Sequence, residues 1–260
     1  MSDPVVLERR GTAAILTIDR ADRMNALSRD TLFAFGRLGR ELAADPKVRA
    51  IVITGSGDKA FCAGADLKER QGYTENDVRA QVGLYRTELG VLDTCPKPVV
   101  AAINGVAFGG GLELALICDL RVAVATAKLA LPETTLGIIP GAGGTQRLPR
   151  IVGEARAKEM ILLGRRLEAA EALAWGLVNR VTEAGKNVVD DTLAWLAPVL
   201  DGAPIAQAAA LGAIDASYDV SLARGLELER VYYDETVRSK DRLEALAAFA
   251  EKRKPAFKGE

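Results

Sequence analysis

Hydrophobic and polar positions along the chain change period several times, and each change marks an element. Val5 to Arg9 and Ala13 to Asp19 are short β-rich runs separated by Gly11, which predicts a hairpin. Ser28 then stands as an N-cap, and Leu32, Phe35, Leu38 and Leu42 recur at helical spacing until Asp45-Pro46. Val48 to Thr54 is a continuous apolar run closed by Gly55-Ser56-Gly57, the pattern of a buried strand. The sequence Thr74 to Asp77 resembles a capping box, with Asp in place of Glu, and opens a helix expected to reach Leu92 before Pro96 and Pro98.

A second unit of similar order follows. Val99 to Ile103 reads as a strand, Gly109-Gly110-Gly111 leads into a Leu- and Ala-rich helix, and Leu120 to Ala125 and Leu129 to Leu131 read as strands. The offset of roughly 50 residues predicts stacked ββα turns rather than one open doubly wound sheet. From Gly153 the pattern reads as almost wholly helical: Glu168 to Trp175, Val188 to Leu200, Pro204 to Ser217, Ser221 to Val237 and Ser239 to Glu251. In the last of these, Leu243, Leu246, Ala247 and Ala250 form an i, i+3, i+4, i+7 stripe. The expected organisation is an α/β core over residues 1–200 and a helical C-terminal region over 201–260.

Composition changes this picture mainly by exclusion. The net charge of −1 gives no electrostatic reason to expect nucleic acid. No run of 18 or more apolar residues suggests a membrane span. The start Met1-Ser2-Asp3-Pro4 lacks the basic-then-apolar pattern of an export signal. Three cysteines, Cys62, Cys95 and Cys118, are an odd number without metal-ligand spacing, which fits a reducing, cytoplasmic setting and no bound metal. The chain has no histidine. Histidine triads, bases and metal ligands are thereby excluded, and acid/base work near neutral pH falls mainly to Glu, Asp, Lys, Tyr or Cys. Cys62 has no histidine to activate it and reads as a small buried side chain.

Candidate chemistry gathers where small residues follow a strand with carboxylates nearby. Three consecutive glycines are costly to order and suit a close backbone approach, while a helix N-terminus offers unpaired N–H groups to an anion. Glu113 lies about one turn beyond Gly110. The other two such segments are Ala63-Gly64-Ala65-Asp66 and Leu131-Pro132-Glu133, the latter running on to Gly141-Ala142-Gly143-Gly144. The last glycines lack the Gly-Lys-Ser/Thr ending of a phosphate loop.

These three segments, in order and spacing, resemble the enoyl-CoA hydratase/isomerase (crotonase) family. Phe61 to Leu67, Gly109 to Asp119 and Pro132 to Arg150 carry the likeness, which extends to Lys252-Arg253-Lys254-Pro255-Ala256-Phe257-Lys258. The resemblance implies a crotonase-like spiral of repeated ββα units with a helical C-terminal region. It implies that the Ala65 and Gly110 amides form an oxyanion hole, that Glu113 and Glu133 are the catalytic acid/base pair, and that the Gly141 backbone helps to place water. Ala63, Asp66, Leu67 and Lys68 would lie along the adenine end of the CoA site, and Phe257 and Lys258 would approach CoA, in some members from a neighbouring subunit. No separate cofactor is implied, since CoA arrives with the acyl-CoA thioester substrate. Homotrimers or dimers of trimers are implied, with the C-terminal helices at the contacts.

Both glutamates favour hydration of a short-chain 2-enoyl-CoA over isomerisation or another acyl-CoA lyase reaction. Ala65 to Arg70 and Leu112 to Leu116 look closest to the 3-methylglutaconyl-CoA hydratase branch, which implies a place in leucine or fatty-acid breakdown. The distal carboxylate of that substrate would find a cation in Lys68 or Arg70. A non-catalytic CoA-thioester binder or an RNA-associated protein on the same fold is the competing class; the glutamates oppose the first and the net charge the second. A serine peptidase on the related fold is disfavoured by the missing histidine.

Overall fold

The computed structural model describes residues 3–260; Met1 and Ser2, at the head of the stretch read as lacking an export signal, lie outside the described residues. Two sheets stack. The larger runs β1(Val5–Arg10), β2(Ala13–Ile18), β3(Ala50–Gly55), β5(Val99–Ile103), β7(Leu120–Val124) and β10(Arg180–Thr182) in that spatial order; the smaller runs β4(Ala60–Cys62), β6(Val106–Phe108), β8(Lys128–Ala130) and β9(Leu167–Glu168). Among the described residues only the hairpin β1–β2 and the pair β8–β9 are antiparallel.

The spiral follows from this order. Each of β3, β5 and β7 pairs in the large sheet, and the chain then crosses to lay β4, β6 or β8 in the small one. Asn104 fixes one crossing: its Nδ2 donates to the carbonyls of Gly55 and Gly57 at 2.9 and 2.8 Å, and its Oδ1 accepts from Gly55 N–H at 3.0 Å. The ends of β3 and β5 are thereby tied together. The expected stacked ββα units are present.

Covering both faces of the large sheet explains its apolar runs. Ile51 and Ile53 point into the main core with Leu16, Phe35 and Ile103, while Val52 points the other way with Ile15, Val100 and Val122. A strand buried on both faces has no polar alternation to show. Helix α1(Arg29–Ala44) covers part of the main core, capped by Ser28, whose hydroxyl accepts from Thr31 N–H at 3.2 Å. Helices α8(Val188–Trp195) and α9(Ala197–Leu200) serve the opposite face through Val188, Val189 and Leu196.

Several expectations need correction. The helix expected to run to Leu92 is α2(Glu75–Leu84), a π turn over Tyr85–Leu89, and α3(Gly90–Asp93). Its start is as expected, with Thr74 and Asp77 in a reciprocal capping box. The region after Gly153 is not wholly helical, because β9 and β10 extend the two sheets. At two and three residues these strands are too short for a period to register. The Val188–Leu200 helix is broken at Leu196, ahead of Pro198 at the start of α9. Remaining helices are α4(Gly110–Ile117), α5(Gly144–Val152), α6(Glu154–Leu162), α7(Ala169–Ala174), α10(Pro204–Ala216), α11(Leu222–Val237) and α12(Lys240–Glu251).

The C-terminal helices are packed differently from the core. Helix α11 buries no residue, and the α12 stripe of Leu243 and Leu246 is exposed. The terminal tail turns back on the base of the molecule: Asp241 accepts the amides of Lys258 and Gly259, both at 2.8 Å, and Arg49 Nη2 donates to Phe257 O at 3.0 Å. No helix is long and apolar enough to cross a membrane among the described residues.

Candidate active site

Strands β4, β6 and β8 lie side by side and parallel, so the segments that follow them emerge at one end of the small sheet. Those segments carry Ala65, Gly110 and Glu133. Residues far apart in sequence meet because they occupy equivalent places in successive turns of the spiral.

Close backbone packing sets the spacing of the first two. A Cβ on Gly111 would stand 2.0 Å from Cys62 O, and one on Gly64 would stand 2.9 Å from Phe108 O, so both positions are confined to glycine. Gly109 ends β6 with φ 53° and ψ −127°, which swings the chain into α4. The point where a Gly110 Cβ would stand is 3.7 Å from Ala65 N. Neither the Ala65 nor the Gly110 amide donates a hydrogen bond to any group among the described residues. Two unspent backbone donors side by side, one of them opening a helix, are the arrangement that an anion hole requires.

Glu113 lies one turn into α4 and is 3% exposed. Its Oε1 accepts the amides of Ala142 and Gly144 at 2.7 and 2.8 Å, supplied by the glycine loop that leads into α5. Burial raises its pKa, while the amides of Gly144, Ala142 and Gly141 and the charge of Arg147 pull the other way. Glu133 starts the short turn after β8, and its Oε1 is 3.1 Å from where a Gly109 Cβ would stand. Its Oε2 is buried without a partner. Burial, with the charge of Glu113 adding to it against one backbone hydrogen bond, pushes this carboxyl up to about 7. One carboxylate is therefore furnished with donors and the other is left to hold a proton near neutrality.

Other expected site residues divide. Ala63, Leu67 and Lys68 are exposed along the loop around Ala65. Asp66 is buried beneath them with both oxygens in use: Oδ1 accepts the amides of Lys68 and Glu69 at 3.1 and 3.2 Å, and Oδ2 accepts from Arg20 Nη2 at 2.7 Å. Burial opposes the Asp66 anion, but Arg20 and these amides outweigh it and lower its pKa. Asp66 holds the loop that presents Ala65. Phe257 and Lys258 are not brought to this site within the chain, since they sit beside Arg49 at the start of β3, whereas the site lies beyond the strands' other ends. Cys62 is wholly buried and its thiol is pushed up to about 12, which suits packing and not nucleophilic work.

Sequence reasoning missed the cover of the site. Val82 reaches within 3.6 Å of where a Gly141 Cβ would stand, and the Tyr85 ring edge comes within 3.5 Å of the same point on Gly110. Tyr85 is 4% exposed and its hydroxyl has no partner, an arrangement that costs about 1–3 kcal/mol. The available signal was the capping box, which fixes the helix start and hence its inner face.

Known proteins match this arrangement over nearly the full length. The family model described as Enoyl-CoA hydratase/isomerase matches residues 8–260. This chain belongs to the enoyl-CoA hydratase/isomerase family. Within that family it is 47% identical over 246 residues to the Bacillus subtilis (strain 168) protein YngF, whose name places it among enoyl-CoA hydratases/isomerases, covering 95% of this chain and 94% of that one. It is 44% identical over 256 residues to the mouse mitochondrial methylglutaconyl-CoA hydratase, covering 97% of this chain and 81% of that one. The crystal structure of an enoyl-CoA hydratase from Bacillus anthracis superposes with a TM-score of 0.96 at 43% identity, over 99% of this chain and 100% of that one. This family member is an enzyme with the crotonase fold.

Proposed function

We propose that this enzyme hydrates 2-enoyl-CoA thioesters, adding water syn across the double bond, with 3-methylglutaconyl-CoA as substrate. The observation that carries the reading is the pairing of two buried glutamates in opposite environments beside two unspent backbone donors. The 44% identity to a methylglutaconyl-CoA hydratase supports the choice of substrate.

Addition of water to an enoyl thioester builds negative charge on the carbonyl oxygen. The Ala65 and Gly110 amides meet that charge where it develops, each worth about 3–4 kcal/mol by comparison with other oxyanion holes. Water loses a proton as it attacks Cβ, and Cα gains one. Glu113, whose burial raises its pKa but whose anionic form the glycine-loop amides favour, is the base toward water; Glu133, which retains a proton up to about pH 7, is the acid toward Cα. Gly141, whose amide also favours the Glu113 anion, borders the place of that water. Split protonation suits hydration, which needs one group to take a proton and another to deliver one.

Exposed Ala63, Leu67 and Lys68 would border the CoA moiety, with Asp66 shaping their loop. No group of three potential metal ligands among His, Cys, Asp and Glu occurs among the described residues, and the proposed chemistry uses none. The exposed apolar side chains Leu222, Leu226, Val231, Leu246 and Phe249 support assembly of the 201–260 helices into a trimer or dimer of trimers. In such an assembly Phe257 and Lys258 would approach CoA from a neighbouring subunit. Three buried free thiols fit the reducing cytoplasm, although the mouse relative carries a mitochondrial name.

The test follows the loss of conjugated enoyl-thioester absorbance with wild type, Glu113→Gln and Glu133→Gln. Each substitution is expected to lower turnover by about 10²–10⁴-fold. Wild-type turnover in either variant would sink the mechanism.

A further inference from the structure

The wall above the anion hole holds two donors that the fold does not use. Gln81, wholly buried on α2, accepts from Arg70 Nε at 2.5 Å and donates through Nε2 to Glu69 Oε2 at 3.1 Å. Glu69 in turn accepts the Arg29 amide at the start of α1, through Oε2 at 3.1 Å and Oε1 at 3.2 Å. Arg70 is thus anchored to two helices by a single nitrogen. Its two terminal nitrogens make no hydrogen bond, and no protein carboxylate lies within ion-pair distance of it, among the described residues.

Beside it stands Tyr85. Burial raises the pKa of the Tyr85 hydroxyl, while the Arg70 guanidinium, near enough to act on it both by charge and as a long-range donor outside hydrogen-bond geometry, pulls the other way. That hydroxyl is buried and unpartnered, and the ring that carries it packs over Gly110. The π turn is the local cause, because Tyr85 begins it. An inserted residue re-aims the side chains that follow, a feature frequent at functional sites.

A charged donor held by its rear nitrogen and a neutral donor beside it match one ligand chemistry. Guanidinium nitrogens present a planar fork to carboxylate oxygens, and a phenol supplies a further hydrogen. We propose that Arg70 and Tyr85 form the receptor for a carboxylate at the far end of the acyl chain, making this site selective for dicarboxylic acyl-CoA thioesters. Lys68 is not part of it, being exposed on the outer side of the loop. The receptor rests on the hydratase reading for the placement of the thioester at Ala65 and Gly110, and names the residues that read the substrate's other end.

Binding of two saturated, unreactive thioesters tests this independently of turnover. Glutaryl-CoA and butyryl-CoA share the CoA and differ at the distal carboxylate. Their Kd values are measured by calorimetry on wild type, Arg70→Met, Arg70→Lys and Tyr85→Phe. Wild type is expected to favour glutaryl-CoA by about 10- to 100-fold, Arg70→Met to abolish that ratio, and Arg70→Lys to restore part of it. Tyr85→Phe should reduce the ratio by about threefold to tenfold without lowering the melting temperature, since removing a buried hydroxyl that has no partner relieves its cost. A wild-type ratio near unity, or one that survives Arg70→Met, would overturn the receptor. Should the glutaryl preference depend on Arg70 while no enoyl-CoA is hydrated, the receptor stands and the hydratase reading falls.

Discussion

Gly144 donates its amide hydrogen to Glu113 Oε1 at 2.8 Å, and a methyl group on Gly144 would stand 3.0 Å from that same oxygen. The residue that holds the carboxylate is therefore also the one whose side chain would displace it. The same methyl would stand 2.9 Å from Leu131 Cδ1 and 2.9 Å from Pro140 Cβ, so it has little room to yield.

Gly144→Ala is accordingly expected to lower kcat by about 10²-fold, the usual consequence of moving a reacting group by about 1 Å. Stability should fall by about 1–3 kcal/mol from overpacking. Enoyl-CoA turnover and urea denaturation of the same preparation check both. An active, equally stable variant would show that Glu113 does not depend on this loop.

The pH dependence follows from Glu133. Its carboxyl is lifted from 4.5 to about 7, so the folded chain prefers the protonated form. Its contribution to stability is full below about pH 4.5 and is lost as pH rises to about 7, a change of about 3 kcal/mol. Because the protonated group is the proposed acid, kcat/KM should decline above about pH 7. Stability measured from pH 4 to 8 should decline more steeply in wild type than in Glu133→Gln, in which buried Asp119, lifted to about 6, still contributes a decline. Parallel profiles would refute the assignment.

Two glycines give opposite outcomes. Gly111→Ala drives a methyl group into Cys62 O, where 2.0 Å is available, and is expected to destabilise by about 3 kcal/mol or more. Gly83 lies within α2 with open space about its Cα. Gly83→Ala should stabilise by about 0.5–1 kcal/mol, through helix propensity alone. Thermal melts of the two variants decide the matter.

Assembly makes a further prediction. Phe249 is 86% exposed and Leu226 56% exposed, both on C-terminal helices. Sedimentation should give wild type the mass of a trimer or of two trimers. The double variant Leu226→Glu, Phe249→Glu should shift that mass downward. A monomeric wild type would remove the assembly proposal.

How much of this was legible in the chain differs by residue. Glu113 and Glu133 stand out because glycine and proline punctuation fixes where helix α4 and the turn after β8 begin. Ala65 is legible only through resemblance, since a lone alanine after a strand carries no chemical signal of its own. The repeated order of strand, small-residue segment and helix after β3 and β5 predicts the spiral, but β4, β6, β9 and β10 hold too few residues to show a period and do not read as strands. Gln81 and Tyr85 look like ordinary helix positions because the π turn that aims Tyr85 has no signature in the local sequence. Phe257 and Lys258 were placed by resemblance alone, and within one chain Asp241 and Arg49 hold them elsewhere.

The two donors of the proposed anion hole are main-chain groups, and this separates what the protein can change from what it keeps. Replacing the side chain of residue 65 with another non-proline residue leaves its N–H in place, and residue 110 would contribute through a backbone seated against Cys62 by Gly111. The proposed proton-handling groups, by contrast, are two side chains, each replaceable by one substitution. A chain built this way can exchange one reaction of an acyl thioester for another while its grip on the enolate oxygen passes through unaltered.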